Sequence, residues 1–321
     1  MSTENLSHDE KAAKFSFEKP EANKESEFSS KVVLNFFRHG EKNPAPGTDE
    51  LTKDGRKKAV AEFAARFGQD GNPHKMAFGS WIKRSEETAA LALENTNLDS
   101  ELVDSYGSVQ ELTDAIDAEA TDASGEKGLA FGSKTGVREN LGFKFKKGPV
   151  MDAAYAAIKD NNYLGWLAHE ADTMIPADDT ETWGLNRQAA NIADEIGNYV
   201  KVAGNFDRLV AKKTQEEGGE DFGNTLERFM GSHSGVLESF LVKLIQKTKG
   251  EAEKEKFVNA LPEAFDFLEG FTVEIENKAG QTEPQVRIKY ERKGDTEEKS
   301  FKYDEMVPVS VIQEIISEGK K

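Results

Sequence analysis

The apolar positions between residues 31 and 106 form short runs that alternate with helix-spaced faces. Residues 31–37 are a nearly continuous apolar run of strand length, and residues 74–79 and 101–106 are two further short runs. Between them, residues 53–67 carry Ala59, Phe63 and Phe67 at helical spacing, and residues 85–94 are rich in alanine. The order strand, helix, strand, helix, strand predicts a mainly parallel sheet with helices on both faces.

The middle of the chain has a different composition. Residues 111–150 are rich in Asp, Ala, Gly and Lys without a clean period, whereas residues 153–158, 163–169 and 183–206 have helical patterns. Residues 215–223 are an acidic, glycine-rich break. We therefore predict an inserted helical cap at about residues 110–180, between two parts of one sheet-forming domain.

Strand patterns return in the last third of the chain. Residues 226–232 predict a strand that ends at His233, and residues 236–246 predict an amphipathic helix. Residues 271–276, 285–291 and 299–303 alternate apolar and polar positions, which predicts an antiparallel meander, and residues 309–316 predict a terminal helix. The predicted fold is α/β, a three-layer α/β/α sandwich with a mainly parallel sheet, an inserted helical cap and an antiparallel edge.

Composition narrows the range of functions. The 321-residue chain has a net charge of −17 and contains no cysteine, so disulfides, thiolate metal sites and cysteine nucleophiles are excluded. Such a charge repels nucleic acid and anionic membranes, and no apolar stretch reaches the ~18 residues of a membrane span. Residues 1–30 are polar and predict a disordered tail before a single domain at 31–321. Because the tail lacks an apolar signal segment, we expect a cytoplasmic protein.

The apolar run at 31–37 stops at Arg38-His39-Gly40. Arginine offers a fork of donors that suits a phosphate group, and an imidazole nitrogen can attack phosphorus. Three further segments follow in order. They are Leu51-Thr52-Lys53-Asp54-Gly55, the segment from Ser80 through Arg84 to Thr88-Ala89, and Ser232-His233-Ser234-Gly235-Val236. Together the four segments resemble the histidine phosphatase superfamily, also called phosphoglycerate mutase-like, over about residues 31–95 and 226–275.

This resemblance implies a set of roles for four residues. His39 would be the nucleophile that forms a phosphohistidine, Arg38 and Arg84 would bind the phosphoryl oxygens, and His233 would donate to one of them if protonated. The strands that precede His39 and His233 both end in a turn that leads into a helix. Since ligands collect at the carboxyl ends of strands in an open α/β sheet, residues far apart in sequence can meet there.

The leaving alkoxide needs a proton donor, and the resemblance implies a carboxylic acid for this role. Ser234 follows His233, so an acid directly after the second histidine is absent. Glu111, beyond Arg84 and after the third predicted strand, is our candidate, with Glu101 as the alternative. A glutamate on a solvated surface remains an equally good interpretation of both positions.

Three other polar residues allow simpler interpretations. Asn43 can either hydrogen-bond a phosphate oxygen or hold the turn beside Pro44. Ser80 fits a helix cap better than a reactive group. His169 lacks a partner histidine four residues later, so we predict no metal site there, and no cofactor elsewhere.

These observations predict a metal-independent phosphomonoesterase of the histidine acid phosphatase type that acts on a small phosphorylated substrate. One alternative is a phosphoglycerate mutase-like phosphotransferase. The short loop between Arg38-His39-Gly40 and Leu51 disfavours it, because the resemblance implies a longer loop in mutases. Another is a catalytically idle protein that binds a phosphorylated ligand, which has no need of the nucleophile.

Overall fold

The structure is a computed structural model that describes residues 29–45, 47–67, 72, 74–94, 106–123, 134–217, 223–278, 281 and 283–320. The predicted tail lies outside these residues except for Ser29 and Ser30, and Ser30 already begins the first strand. The predicted strand at 101–106 also lies outside them, apart from Tyr106.

Seven strands of the described chain form one sheet in the order β3-β2-β4-β1-β5-β6-β7. The strands β3, β2, β4 and β1 pair in parallel, and the pairings from β1 to β7 are antiparallel. Their bounds are β1 Ser30–Arg38, β2 Lys75–Gly79, β3 Thr135–Val137, β4 Thr225–Ser232, β5 Gly270–Asn277, β6 Gln285–Arg292 and β7 Phe301–Val307. Five strands therefore run one way and two the other, and the predicted fold class, with its antiparallel edge, is confirmed.

Ten α-helices accompany the sheet in the described chain. They are α1 Lys53–Phe67, α2 Lys83–Leu93, α3 Val109–Ala123, α4 Pro149–Lys159, α5 Tyr163–His169, α6 Ala171–Met174, α7 Leu185–Glu217, α8 Val236–Lys249, α9 Glu251–Ala260 and α10 Val309–Glu318. Two short 3-10 turns, Glu139–Leu141 and Glu297–Lys299, complete the regular structure. None of the helices formed by described residues is both long enough and apolar enough to cross a membrane.

The sheet separates two apolar cores. The larger core lies where α7 and α8 pack against the sheet and α10 packs against these two helices, and it includes Phe36, Phe240 and Phe271. The smaller core lies on the opposite side around α1 and α2, and it includes Phe37 and Phe63. Phe36 and Phe37 are neighbours on β1 and point to opposite faces, since successive strand residues alternate. A continuous apolar run in the central strand thus supplies both cores.

Helix α3 and strand β3 are among the elements that were not predicted from the sequence. Helix α3 lies in the segment that lacks a clean period. Its described apolar face consists mainly of Val109, Leu112 and Ile116 among acidic and small residues, so the helical spacing is weak in the sequence. Strand β3 has only three residues, which is too short for a periodic signal. It pairs with β2 and extends the parallel half of the sheet, within the range predicted for the cap.

Candidate active site

The pairing of β1 with β4 brings the two candidate histidines together. The register places Arg38 opposite Ser232, so His39 and His233 are the first residues beyond the two parallel strands. The His39 backbone N–H donates to the Ser232 carbonyl at 2.9 Å, and the two imidazole centroids lie 5.1 Å apart. The two histidines thus lie together at the carboxyl end of the parallel strands, where the sequence analysis expected them to meet.

Hydrogen bonds determine the tautomer of His39. Its Nδ1 lies 2.7 Å from the Gly40 carbonyl, which can only accept, so Nδ1 carries the hydrogen. Its Nε2 accepts from Arg84 Nε at 2.9 Å, which requires a free lone pair on Nε2. His39 is 6% exposed. The ring is therefore held with its basic nitrogen directed toward the guanidinium of Arg84.

Arg38 is held from two sides beside His39. Its Nη1 donates to the Phe265 carbonyl, and the Phe267 ring lies 4.4 Å from the guanidinium carbon. Its Nε is buried and has no hydrogen-bond partner in the described chain. This unsatisfied N–H is a donor that a bound anion can use, since buried polar groups are nearly always paired.

Two glycines allow Arg84 to reach the site. A Cβ at Gly79 would lie 2.3 Å from the Glu86 backbone, and one at Gly231 would lie 2.1 Å from the Ser85 carbonyl. Helix α2 therefore begins in direct contact with the ends of β2 and β4. Within its first turn Arg84 projects toward His39, and its Nη1 lies 3.5 Å from Asp49.

His233 is buried against a serine hydroxyl. Its Nε2 lies 2.7 Å from Ser80 Oγ, and its Nδ1 has no hydrogen-bond partner among the described residues. Ser80 does not occupy the N-cap position of α2, which is Ile82, although its Oγ accepts from the Ile82 N–H at 3.1 Å. The prediction that Ser80 caps the helix is therefore wrong in detail. Its hydroxyl orients His233 as well as the start of α2.

Burial and charge keep both histidines neutral. Desolvation, reinforced by the Arg84 guanidinium, lowers the pKa of His39 to about 3. Desolvation, then His39 and the two arginines, lowers the pKa of His233 well below its ordinary value. The positive charge of the site therefore comes from Arg38 and Arg84. We call Arg38, His39, Arg84 and His233 the cationic end of the site.

A buried carboxylate that sequence analysis missed holds the segments next to the cationic end together. Glu87 accepts from the Leu51 N–H at 2.7 Å, from Arg56 Nε at 2.6 Å and from the Tyr106 hydroxyl at 2.9 Å. The next residue, Thr88, accepts through its Oγ1 from the Gly40 N–H at 3.1 Å. These bonds attach the chain after His39 to α2. The only signal in the sequence that could have identified Glu87 was its position close to Arg84.

A second buried carboxylate, also missed, joins the two loops around Arg38. Glu238 accepts from the Gly235 N–H at 2.7 Å and from the Phe265 N–H at 2.5 Å. Burial raises its pKa to about 7, against the opposing effect of the Phe265 N–H, of the Glu238 backbone N–H and of Arg38. Its position three residues after Gly235, at the start of α8, is the signature of a capping glutamate and could have identified it.

The cationic end opens into a cavity of about 600 Å³. Most of the remaining lining is aromatic or aliphatic and comes from α4, from the segment before it and from the 263–267 loop. We call these residues the apolar wall: Phe143, Phe145, Met151, Ala154, Tyr155, Ile158 and Phe267. Lys42, Glu263 and Asp266 are the charged residues of the lining outside the cationic end. A larger, polar groove of about 750 Å³ lies along β6 and α1 and does not include His39.

Two candidate residues from the sequence lie elsewhere. The side-chain oxygen of Asn43 accepts from the Ala45 N–H at 3.0 Å, which holds the turn, and Asn43 does not line the cavity. Glu111 is exposed, lies in the first turn of α3 and accepts from the Gly107 N–H at 2.6 Å. The structure thus gives Glu111 a capping contact and does not bring it to the cationic end. The alternative acid, Glu101, lies outside the described residues.

The other residues considered from the sequence also have defined positions. Within the part of the chain that the structure describes, no group of three or more His, Asp or Glu side chains is arranged to hold a metal ion. His169 lies on the surface, 3.4 Å from a Glu255 carboxylate oxygen.

Comparison with known proteins gives structural neighbours only. No protein-family model matches the chain, and no curated protein matches it. A solved structure described as mycobacterial hydrolase 2 covers 90% of this chain and 97% of its own, at 15% identity and a TM-score of 0.38. The native structure of a mycobacterial glucosyl-3-phosphoglycerate phosphatase covers 81% and 96%, at 15% identity and a TM-score of 0.38. Its complex with inorganic phosphate covers 77% and 89%, at 17% identity and a TM-score of 0.31.

These neighbours are described as hydrolases and phosphatases, the class that the sequence resemblance predicts. With TM-scores below 0.5, the similarity supplies no argument about the chemistry of this chain. The function is therefore inferred from the site.

Proposed function

We propose that this protein is a phosphomonoesterase of the histidine phosphatase type, in which His39 forms a phosphohistidine. The observation that carries the proposal is the hydrogen bonding of His39. Its Nδ1–H donates to the Gly40 carbonyl, so the lone pair is on Nε2, and that nitrogen accepts from the Arg84 guanidinium. A neutral, oriented imidazole beside an anion-binding group is what nucleophilic attack on phosphorus requires.

The proposed reaction has two steps. First, His39 Nε2 attacks phosphorus, the bond from phosphorus to the ester oxygen breaks, and the leaving oxygen takes a proton from a carboxylic acid. Then water attacks the phosphohistidine, the P–N bond breaks, and the carboxylate accepts a proton from the water. Inorganic phosphate leaves, and Nε2 regains its lone pair. The acid thus serves as base in the second step.

The two arginines supply the charge that this reaction needs. The phosphoryl group carries negative charge on its equatorial oxygens through both steps. The Arg38 and Arg84 guanidinium groups both line the cavity beside His39, and the buried Nε of Arg38 is free to donate. His233 Nδ1 is also without a partner within the described chain, so it can donate to an oxygen when that nitrogen carries the hydrogen. We propose that this set acts without a metal ion.

The proposed general acid is Glu263 rather than Glu111. Two carboxylates line the cavity, and Asp266 already pairs with Arg292 at 2.9 Å. Glu263 also lines the cavity, and its carboxylate is not committed to a hydrogen bond or ion pair with any residue that the structure describes. Glu111 does not line the cavity, and its carboxylate accepts from the Gly107 N–H.

The first experiment is turnover of para-nitrophenyl phosphate by the full chain in the presence of a metal chelator. We expect release of nitrophenolate and inorganic phosphate in equal amounts. A His169→Ala variant is the matched control, because it removes an exposed histidine outside the cavity. Absence of turnover on this and a panel of small phosphoesters would contradict the proposal. Transfer of the phosphoryl group to an added alcohol instead of water would favour a phosphotransferase.

A further inference from the structure

The cavity has a charged part and an apolar part, and the proposed reaction uses only the charged part. The two guanidinium groups and the two histidines lie together, and most of the remaining lining is aromatic and aliphatic. Three large apolar side chains of the wall are strongly exposed, namely Tyr155 at 55%, Ile158 at 50% and Phe267 at 47%. Exposed apolar side chains that are contiguous and line a cavity are the usual mark of a binding surface.

The charged residues that line the cavity outside the cationic end disfavour a leaving group that carries further anionic groups. Lys42 is the one cation there among the described lining residues, and Asp49 lies 3.8 Å from it. The carboxylate of Glu263 offsets the Lys42 charge further, and Asp266 is itself paired with Arg292. A leaving group that carried a carboxylate or a second phosphate would meet little positive charge and would lose its hydration.

The apolar wall begins at Phe267, next to the place where the phosphoryl group is proposed to bind. The Phe267 ring stacks on the Arg38 guanidinium at 4.4 Å and lies 6.0 Å from the His39 ring. The first atoms of a leaving group beyond the ester oxygen therefore reach apolar surface at once. On α4, Tyr155 and Ile158 continue this surface outward, three residues apart and on one side of the helix.

We propose that the site selects phosphomonoesters whose leaving group is uncharged and apolar, an alkyl or aryl group that packs along the apolar wall. This inference rests on the proposed function, because it assigns the leaving-group side of the same cavity. Each methylene that the wall removes from water contributes up to about fourfold to binding, and the partial exposure of the wall reduces this figure.

The test separates binding from turnover by using ethylphosphonate and hexylphosphonate, whose P–C bonds are not hydrolysed. Titration calorimetry on the full chain gives the two dissociation constants. We expect hexylphosphonate to bind at least ~10-fold more tightly, since four additional methylenes contact the wall. Inorganic phosphate should displace both ligands, which shows that both occupy the cationic end.

Two variants assign the preference to the wall. Tyr155→Ala/Ile158→Ala removes its most exposed part, and alanine preserves helix α4, which circular dichroism can verify. The ratio of the two dissociation constants should fall to about threefold or less. The matched control is Met306→Ala, which removes an apolar side chain of similar exposure, 52%, on β7, and should keep the ratio.

Three results would overturn the inference. They are equal binding of the two phosphonates, a ratio that survives in Tyr155→Ala/Ile158→Ala, and tighter binding of 3-phosphonopropionate, which carries a carboxylate, than of ethylphosphonate. Hydrolysis of hexyl phosphate is measured separately. If the phosphonates bind as expected but no phosphoester is turned over, the proposed function fails while the inference about ligand class is supported.

Discussion

The two ends of the cavity differ in how firmly they are held. At the cationic end, each of the four side chains has at least one hydrogen bond, and His39 and His233 are nearly fully buried. On the apolar wall, Tyr155 and Ile158 project from α4 with about half of their surface exposed. The end proposed for chemistry is preorganised, whereas the end proposed for selectivity is open.

This difference has a physical reason. Attack on phosphorus requires donors and nucleophile at fixed positions, because reorganisation during the reaction would raise the barrier. Contact with an apolar group requires only area that leaves water, which is not directional. Substitutions at the cationic end should therefore reduce the rate strongly, and substitutions on the wall should change which ester is preferred.

The largest effect is expected for His39→Ala, which removes the nucleophile. Turnover of para-nitrophenyl phosphate should fall by at least ~10⁴-fold, because His39 is the residue proposed to form the covalent intermediate. Steady-state kinetics measures this loss, and near-ultraviolet circular dichroism verifies the fold. A rate within tenfold of the wild type would remove His39 from the nucleophile role.

A paired substitution distinguishes the two candidate acids. In Glu263→Gln, turnover of an alkyl phosphate should fall by ~10²–10⁴-fold and that of para-nitrophenyl phosphate far less, because nitrophenolate leaves without a proton. In Glu111→Gln, both rates should remain within a few fold. The reverse pattern would return the acid role to Glu111.

The arginine geometry is tested by Arg84→Lys. Lysine keeps the charge and loses the planar fork, so we expect kcat/KM to fall by ~10²–10³-fold, nearly as far as in Arg84→Ala. The control is Arg287→Lys, which changes an exposed arginine that pairs with Asp304 at 2.7 and 2.9 Å. Retention of most activity in Arg84→Lys would mean that Arg84 acts as a charge alone.

The smallest effect is expected for Glu238→Gln, on stability. Its amide offers one acceptor where two N–H groups now donate, which should cost about 1–3 kcal/mol in the free energy of unfolding. Because the folded-state pKa of about 7 lies above the ordinary 4.5, the stability gained from protonated Glu238 is present below 4.5 and lost as the pH rises through 7. The gap between wild type and variant should therefore narrow from pH 5 to pH 8. A gap that widens would contradict the raised pKa.

Local pattern predicted much of the sheet and the residues at its end. The apolar run before Arg38 and the strand before His233 both follow from periodicity, and helix α1 begins and ends where the pattern indicates. Their juxtaposition follows from a general property of parallel strands. Charged partners such as Glu87 and Glu238 were missed, because a buried carboxylate looks the same as a solvated one in sequence.

The apolar wall could not be predicted for a different reason. Its residues lie on α4 and in the loops at 143–145 and 263–267, which approach His39 only through the tertiary fold. On α4 the apolar and alanine positions surround much of the helix, so the pattern alone does not separate the core side from the cavity side. Glu111 was selected by its position after a predicted strand, and its contact with Gly107 was not foreseeable from that position.

The account depends most on where the phosphoryl group is attached during turnover. The direct measurement is rapid quenching at alkaline pH during hydrolysis of para-nitrophenyl phosphate, followed by digestion and mass spectrometry of the peptides. We predict phosphate on the peptide that contains His39 and none on the peptide that contains His233. Phosphate on His233, or turnover without any phosphorylated histidine peptide under conditions that preserve phosphohistidine, would contradict the account.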